Sequence, residues 1–173
     1  MNQKFSQKIK DVLAYSREEA LRLGNNAINP DHLFLGILRD GEGEAINLLL
    51  SQGVDLSDLK KRVDKHLLQL SDRNDNINDS SDIVIFKSAE RALKVVFLEA
   101  RSLKSDTINT AHLLLAILKD ETNFITQLLF ERNISYETVR KNLTILNSDD
   151  KGDFGGGEDE ESESGMFGNM GKQ

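Results

Sequence analysis

Apolar residues recur at helical spacing along two stretches of this chain, and the second stretch restates the first. In the first, Ile9, Val12, Leu13, Ala20 and Leu23 fall on one face of a helix. Gly24 supplies the left-handed stop that ends it. A second helix starts at Asn29, a capping residue, with Pro30 in the first turn, where its missing N–H costs nothing. Leu33, Leu35, Ile37 and Leu38 stripe that helix, and Gly41 and Gly43 loosen the next connection. A third helix holds Ala45, Ile46, Leu48 and Leu49 and stops at Gly53. A fourth runs from about Leu56 to Leu70. No stretch shows the strict alternation of a half-buried strand.

His32 and His112 lie 80 positions apart, and that single offset aligns the two stretches without a gap. Ile28, Asn29, Leu33, Leu35, Ile37, Leu38 and Asp40 recur as Ile108, Asn109, Leu113, Leu115, Ile117, Leu118 and Asp120. Glu19 recurs as Glu99, and Leu48 and Leu49 as Leu128 and Leu129. Asn133 takes the place of Gly53 as the left-handed stop, and Ser135 caps a last helix from about Tyr136 to Leu146. The expected fold is therefore all-α: two pseudo-symmetric four-helix repeats packed together. Each repeat of about 65 residues has too small a core to stand comfortably alone.

The repeats occupy 4–70 and 83–146 of a domain spanning 1–146. "SDRNDNINDSSD" at 71–82 reads as the linker between them. From 147 to 173 the chain is Gly-rich, acidic and aperiodic, the composition of a disordered tail. Of the net charge of −7, most resides there: from Asp149 onward eight acids face Lys151 and Lys172, a net −6. The remainder is nearly neutral and shows no basic face, which argues against nucleic acid as a partner. No apolar run is long enough for a membrane span, the first residues are no signal peptide, and cysteine is absent, so a cytoplasmic location is expected.

Catalytic chemistry is not legible. No stretch matches G-x-x-x-x-G-K-[ST], so no ATP-binding loop is expected, and no other cofactor either. H-E-x-x-H and G-x-S-x-G are also missing, and His32, His66 and His112 have no ligand spacing for zinc. His32 and His112 read as packed residues of a helical first turn. Leu33, Leu35, Ile37, Leu38 and their repeat mates read as core. Phe34 and Leu114, or Phe124 and Phe130, are open to a second reading as the lining of a partner groove.

The duplicated phrase, "SREEALRLGNNAINPDHLFLGILRDGEGEAINLL" in its first copy, resembles the Clp repeat. This is the amino-terminal domain of Clp-family AAA+ unfoldases, and the chain looks most like the ClpC branch. The resemblance covers about residues 4 to 146, and "DFGGGEDEES" is similar to the linker leading into the family's first ATPase module. It implies a non-enzymatic domain that captures substrate proteins and adaptors, arginine-phosphorylated ones included. In a longer protein it would serve ATPase modules and a Clp peptidase. A free-standing helical adaptor without an ATPase in cis is the alternative, and a hydrolase has little support.

In the ClpC branch each repeat builds a phosphoarginine pocket from a Thr at the first helix's start and the Glu before the repeated His. Carried onto this chain, the resemblance places Ser6 and Asp31 at those positions in the first repeat, but Phe86 and Ala111 in the second. It thus implies at most one working pocket, Ser6 with Asp31, and one degenerate pocket, Phe86 with Ala111. The competing reading is that Asp31 only favours its helix N-terminus electrostatically.

Overall fold

The computed structural model describes residues 4–71 and 83–144, so the linker beyond Ser71 and the tail lie outside the described residues. Met1–Val139 form one compact unit, and Arg140–Gln173 are a second, of which only 140–144 is described. In chain order the elements are β1 (Lys4–Phe5), α1 (Gln7–Leu23), β2 (Ala27–Ile28), α2 (Pro30–Asp40), α3 (Glu44–Ser51) and α4 (Leu56–Ser71). Repeat two continues with β3 (Val84–Ile85), α5 (Lys87–Ser102), β4 (Thr107–Ile108), α6 (Thr110–Lys119) and α7 (Phe124–Phe130). An eighth helix, α8, occupies 136–144. The four helices expected in each repeat are all present.

Their ends follow from the residues placed there. Gly24 closes α1 at φ +73°, its N–H bonding back to Ala20 and Leu21 carbonyls, and Lys104 takes the same left-handed place in repeat two at φ +58°. Asn133 is left-handed at φ +64° where Gly53 stands at +77°. Asn29 and Asn109 accept first-turn N–H groups of α2 and α6. In return the His32 and His112 rings accept the Asn backbone N–H at 3.0 Å, closing a reciprocal capping box. The duplicated histidine is thus a helix-capping residue.

Helices α2 and α6 form the centre. Leu33, Phe34, Leu35 and Ile37 are buried, and so is every residue from Thr110 to Leu118. A helix apolar on nearly all sides must be covered on all sides. Helix α1 packs along α2 and α5 along α6, but α3 also covers α6 of the other repeat and α7 covers α2. Phe34 and Leu114 are therefore core and line no groove.

The strands are the element the alternation pattern could not show, because two residues carry no period. β1 pairs in parallel with β4, Lys4 opposite Thr107, and β2 with β3, Ala27 opposite Val84. The offset of 80 maps one pair onto the other. Each strand that enters a repeat thus pairs with the strand preceding the central helix of the other repeat.

Candidate functional site

That exchange decides where the carried-over residues lie. Ser6 N–H donates to the Ile108 carbonyl of repeat two at 2.9 Å, and Ser6 Oγ is the cap of α1, accepting Ile9 N–H at 3.2 Å. Phe86 N–H donates to the Ile28 carbonyl of repeat one at 2.8 Å. Ser6 therefore sits at the approach to α6, whose first turn holds Ala111. Phe86 sits at the approach to α2, whose first turn holds Asp31. No described contact brings Ser6 and Asp31 together. The juxtapositions cross the repeats: a hydroxyl with an alanine, and a carboxylate with a phenylalanine.

Asp31 is also occupied. Its side chain is only 5% exposed, and Oδ2 accepts the His66 Nδ1–H at 2.7 Å. His66 comes from α4 and stacks on Phe124 of α7, ring centroids 4.0 Å apart and nearly parallel. The hydrogen bond to Asp31 raises the His66 pKa above its ordinary value, against a smaller opposing effect of burial. A carboxylate so held closes an internal link between α2, α4 and α7. Repeat two has Ala111 and Leu146 at the matching positions, so the link exists once. Both polar partners are absent from the other repeat together, and that joint difference was the sequence signal for their contact.

A larger concavity of about 750 Å³ lies entirely in repeat two, between the end of α6, α7 and the start of α8. Leu118, Thr126, Phe130 and Tyr136 form its floor and walls, and Phe130 is 70% exposed. Lys119 reaches over the Tyr136 ring at 4.9 Å and approaches Glu99 at 3.8 Å, while Tyr136 donates its hydroxyl to Glu99 at 2.7 Å. Of the aromatic pair read as alternative groove residues, Phe130 lines this concavity and Phe124 is engaged with His66.

Compared with known families, residues 4–145 match the profile of the Clp repeat (R) N-terminal domain. The chain belongs to this family. Chaperone protein ClpB of Oceanobacillus iheyensis is 31% identical over 98% of the chain but only 19% of its own length. The ClpC/MecB protein of Bacillus subtilis, a negative regulator of genetic competence, is 28% identical over 89% of the chain and 18% of itself. This Clp repeat domain thus spans about a fifth of the length of the curated relatives it matches. Among solved structures, the Hsp104 N-terminal domain from Candida albicans superposes with a TM-score of 0.63 over 84% of this chain and 92% of that one, at 17% identity. The ClpD N-terminal domain from Arabidopsis thaliana gives 0.62 over 83% and 94%, at 14% identity.

Among the described residues no group of three or more His, Asp or Glu side chains is placed to hold a metal, and no helix is long and apolar enough to cross a membrane. Val84, Ile85 and Phe86 form an exposed apolar run on β3 and at the start of α5. Their counterparts in repeat one are Lys4, Phe5 and Ser6, and Phe5 packs against Phe97 at 5.1 Å. Repeat one also exposes Leu50 and Leu68, but the consecutive run Val84, Ile85 and Phe86 belongs to repeat two.

Proposed function

We propose that this Clp repeat domain recruits proteins, either substrates or the adaptors that carry them, to an ATP-driven unfoldase of the Clp kind. It contributes no reaction of its own. The observation that carries the reading is the concentration of exposed apolar residues on repeat two of a tightly capped, interlocked scaffold: Val84, Ile85 and Phe86 on one side and Phe130 on another. Large apolar side chains held outward on a rigid frame are what a protein-binding surface presents. The family and the relatives' roles as chaperone and regulator point the same way, and a cytoplasmic location is consistent with a chain that handles folded and unfolded proteins there.

Phosphoarginine recognition through Ser6 and Asp31 would require Asp31 to exchange its bond to His66 for one to a guanidinium. Apolar and charged peptide segments are the better-suited ligands. The test is a graft: residues 4–145 joined to a Clp ATPase ring stripped of its own repeat domain, with consumption of a permanently unfolded probe protein followed over time. The graft should consume the probe faster than the stripped ring at equal ATP turnover. Equal rates would defeat the proposal.

A further inference from the structure

The concavity of repeat two differs from the matching place in repeat one by a set of acids. Glu121, Glu131 and Glu137 line it, all exposed, where the offset of 80 puts Gly41, Ser51 and Ser57 in repeat one. Its single lining cation, Lys119, is directed at Glu99 and the Tyr136 ring. Glu131 has one long ion pair, to Arg132 at 3.7 Å, and Glu121 and Glu137 have none among the described residues. Leu118, Phe130 and Tyr136 supply the apolar part of the lining, beside Thr126, Gln127 and Ser135. The slot of repeat two thus carries three exposed acids, where the matching lining positions of repeat one carry one, Asp55 in the place of Ser135.

We propose that this groove docks a basic segment of a partner protein: one bulky apolar side chain seated between Phe130 and Tyr136, flanked by Lys or Arg facing Glu121, Glu131 and Glu137. This rests on the recruiting role proposed above and names the class of partner. The volume of about 750 Å³ suits an aromatic or leucine side chain with its neighbours. The chain's own acidic tail is a poor occupant despite Phe154 and Phe167, because its net −6 meets carboxylates of the same sign. A basic partner gains both the apolar burial and electrostatic steering toward the rim.

The probe is a labelled peptide with one phenylalanine between paired lysines, titrated into the full chain by fluorescence anisotropy. Two controls accompany it: the same peptide with the lysines replaced by glutamates, and one with the phenylalanine replaced by glycine. The basic apolar peptide should bind and weaken with added salt, and both controls should bind about tenfold or more weakly. Replacing Glu121, Glu131 and Glu137 together by Gln should reduce affinity about tenfold and flatten the salt dependence. These positions are exposed, so thermal unfolding should be unchanged. F130A should cost a similar factor without altering the salt slope. Amide shifts on titration should cluster over 118–137. Equal binding by the glutamate peptide, an unchanged affinity in the triple Gln variant, or shifts centred on 84–86 would overturn the proposal. The same triple variant in the ring graft separates the two readings: unchanged consumption of the unfolded probe with lost peptide binding would leave recruitment standing and this groove as a separate, basic-partner site.

Discussion

In repeat one the buried Glu19 is gripped by Arg22 at 2.7 Å and Arg39 at 3.1 Å, and Arg22 goes on to Asp64 of α4 at 2.9 Å. In repeat two its counterpart Glu99 is met by the Tyr136 hydroxyl and by Lys119. The carboxylate is the same and Lys119 holds the place of Arg39, but Ser102 replaces Arg22 and Tyr136 stands where repeat one has Leu56. A nearly buried acid must be paired, but the pairing group is free to vary. Repeat one satisfies it with a network of charges tied to α4. Repeat two satisfies it with an aromatic hydroxyl at a groove wall and leaves the neighbouring acids outward.

The comparison is tested hardest by acid, at the duplicated histidines. Burial, opposed only in part by Asp31 and Glu19, lowers His32 from 6.5 to about 4. Its Nδ1 accepts the Asn29 N–H and Nε2 is hydrogen-bonded to Asn25 Oδ1 at 2.8 Å, so a second ring proton has to break the cap. Because the folded pKa is depressed for a base, folding loses stability as pH falls below 6.5, where only the unfolded chain takes the proton. The loss levels off below about 4, after roughly 3 kcal/mol. His112 shifts in the same direction, also by burial, with Ser105 in the place of Asn25. Chemical denaturation across this pH range should show the slope, and His32→Gln, which can close the same capping box, should remove most of it. An unaltered slope in that variant would place the acid sensitivity elsewhere. His66 acts with opposite sign: its raised pKa adds stability that is full below 6.5 and is lost as pH rises through the folded value.

Close packing distinguishes the repeats next. Gly36 lets α1 approach α2 so nearly that an added Cβ would meet the Val12 carbonyl at 2.5 Å and Ser16 Oγ at 2.6 Å. Repeat two carries Ala116 there, opposite Ala92 and Val96. Gly36→Ala should therefore destabilise by about 2–3 kcal/mol despite alanine's better helix propensity. Ala116→Gly should cost only about 1 kcal/mol, mainly propensity. Urea midpoints measure both, and a neutral Gly36→Ala would mean the helices can separate freely.

The helices, their caps and the duplication were legible because each is written locally: Asn29 with Pro30, Gly24, Asn133 and an unbroken offset. The surroundings of Ser6 and Phe86 were not, since residues entering one repeat meet those of the other. Parallel two-residue strands exchange them across the repeats, and pairs that short leave no periodic trace. The Asp31–His66 contact, 35 positions apart, was visible only as two coincident polar-to-apolar differences between copies. The groove acids were visible in the same way, as Glu121, Glu131 and Glu137 against Gly41, Ser51 and Ser57.

His66→Ala sharpens the point about Asp31. It leaves a buried carboxylate without its donor and should cost about 2 kcal/mol. Asp31→Ala should then cost little more in that background, because the two side chains act as a pair. A calorimetric titration with a phosphoarginine peptide should show no difference between wild type and Asp31→Ala. Selective loss of binding in Asp31→Ala, at intact stability, would restore Asp31 as a ligand residue.

The smallest expected effect concerns how a helix start is satisfied when its own cap has no side chain. Gly43 precedes α3 at φ +102° and offers no acceptor, so Thr110 of the other repeat supplies one, its Oγ1 accepting Ala45 N–H at 3.0 Å. In repeat two Asn123 caps α7 directly, accepting Thr126 N–H at 2.8 Å, and Pro30 in Thr110's place has no hydroxyl to lend. Thr110→Val and Asn123→Ala should each cost about 1 kcal/mol, a lost cap in both cases. Their reach should differ. Thr110→Val removes a bond between repeats, so amide exchange should quicken about fivefold at Ala45 and along the first turn of α3, in a repeat that was not mutated. Asn123→Ala should quicken exchange only at the start of α7. Were Ala45 exchange unchanged in Thr110→Val, the hydroxyl would be a bystander and the α3 N-terminus would be satisfied by water.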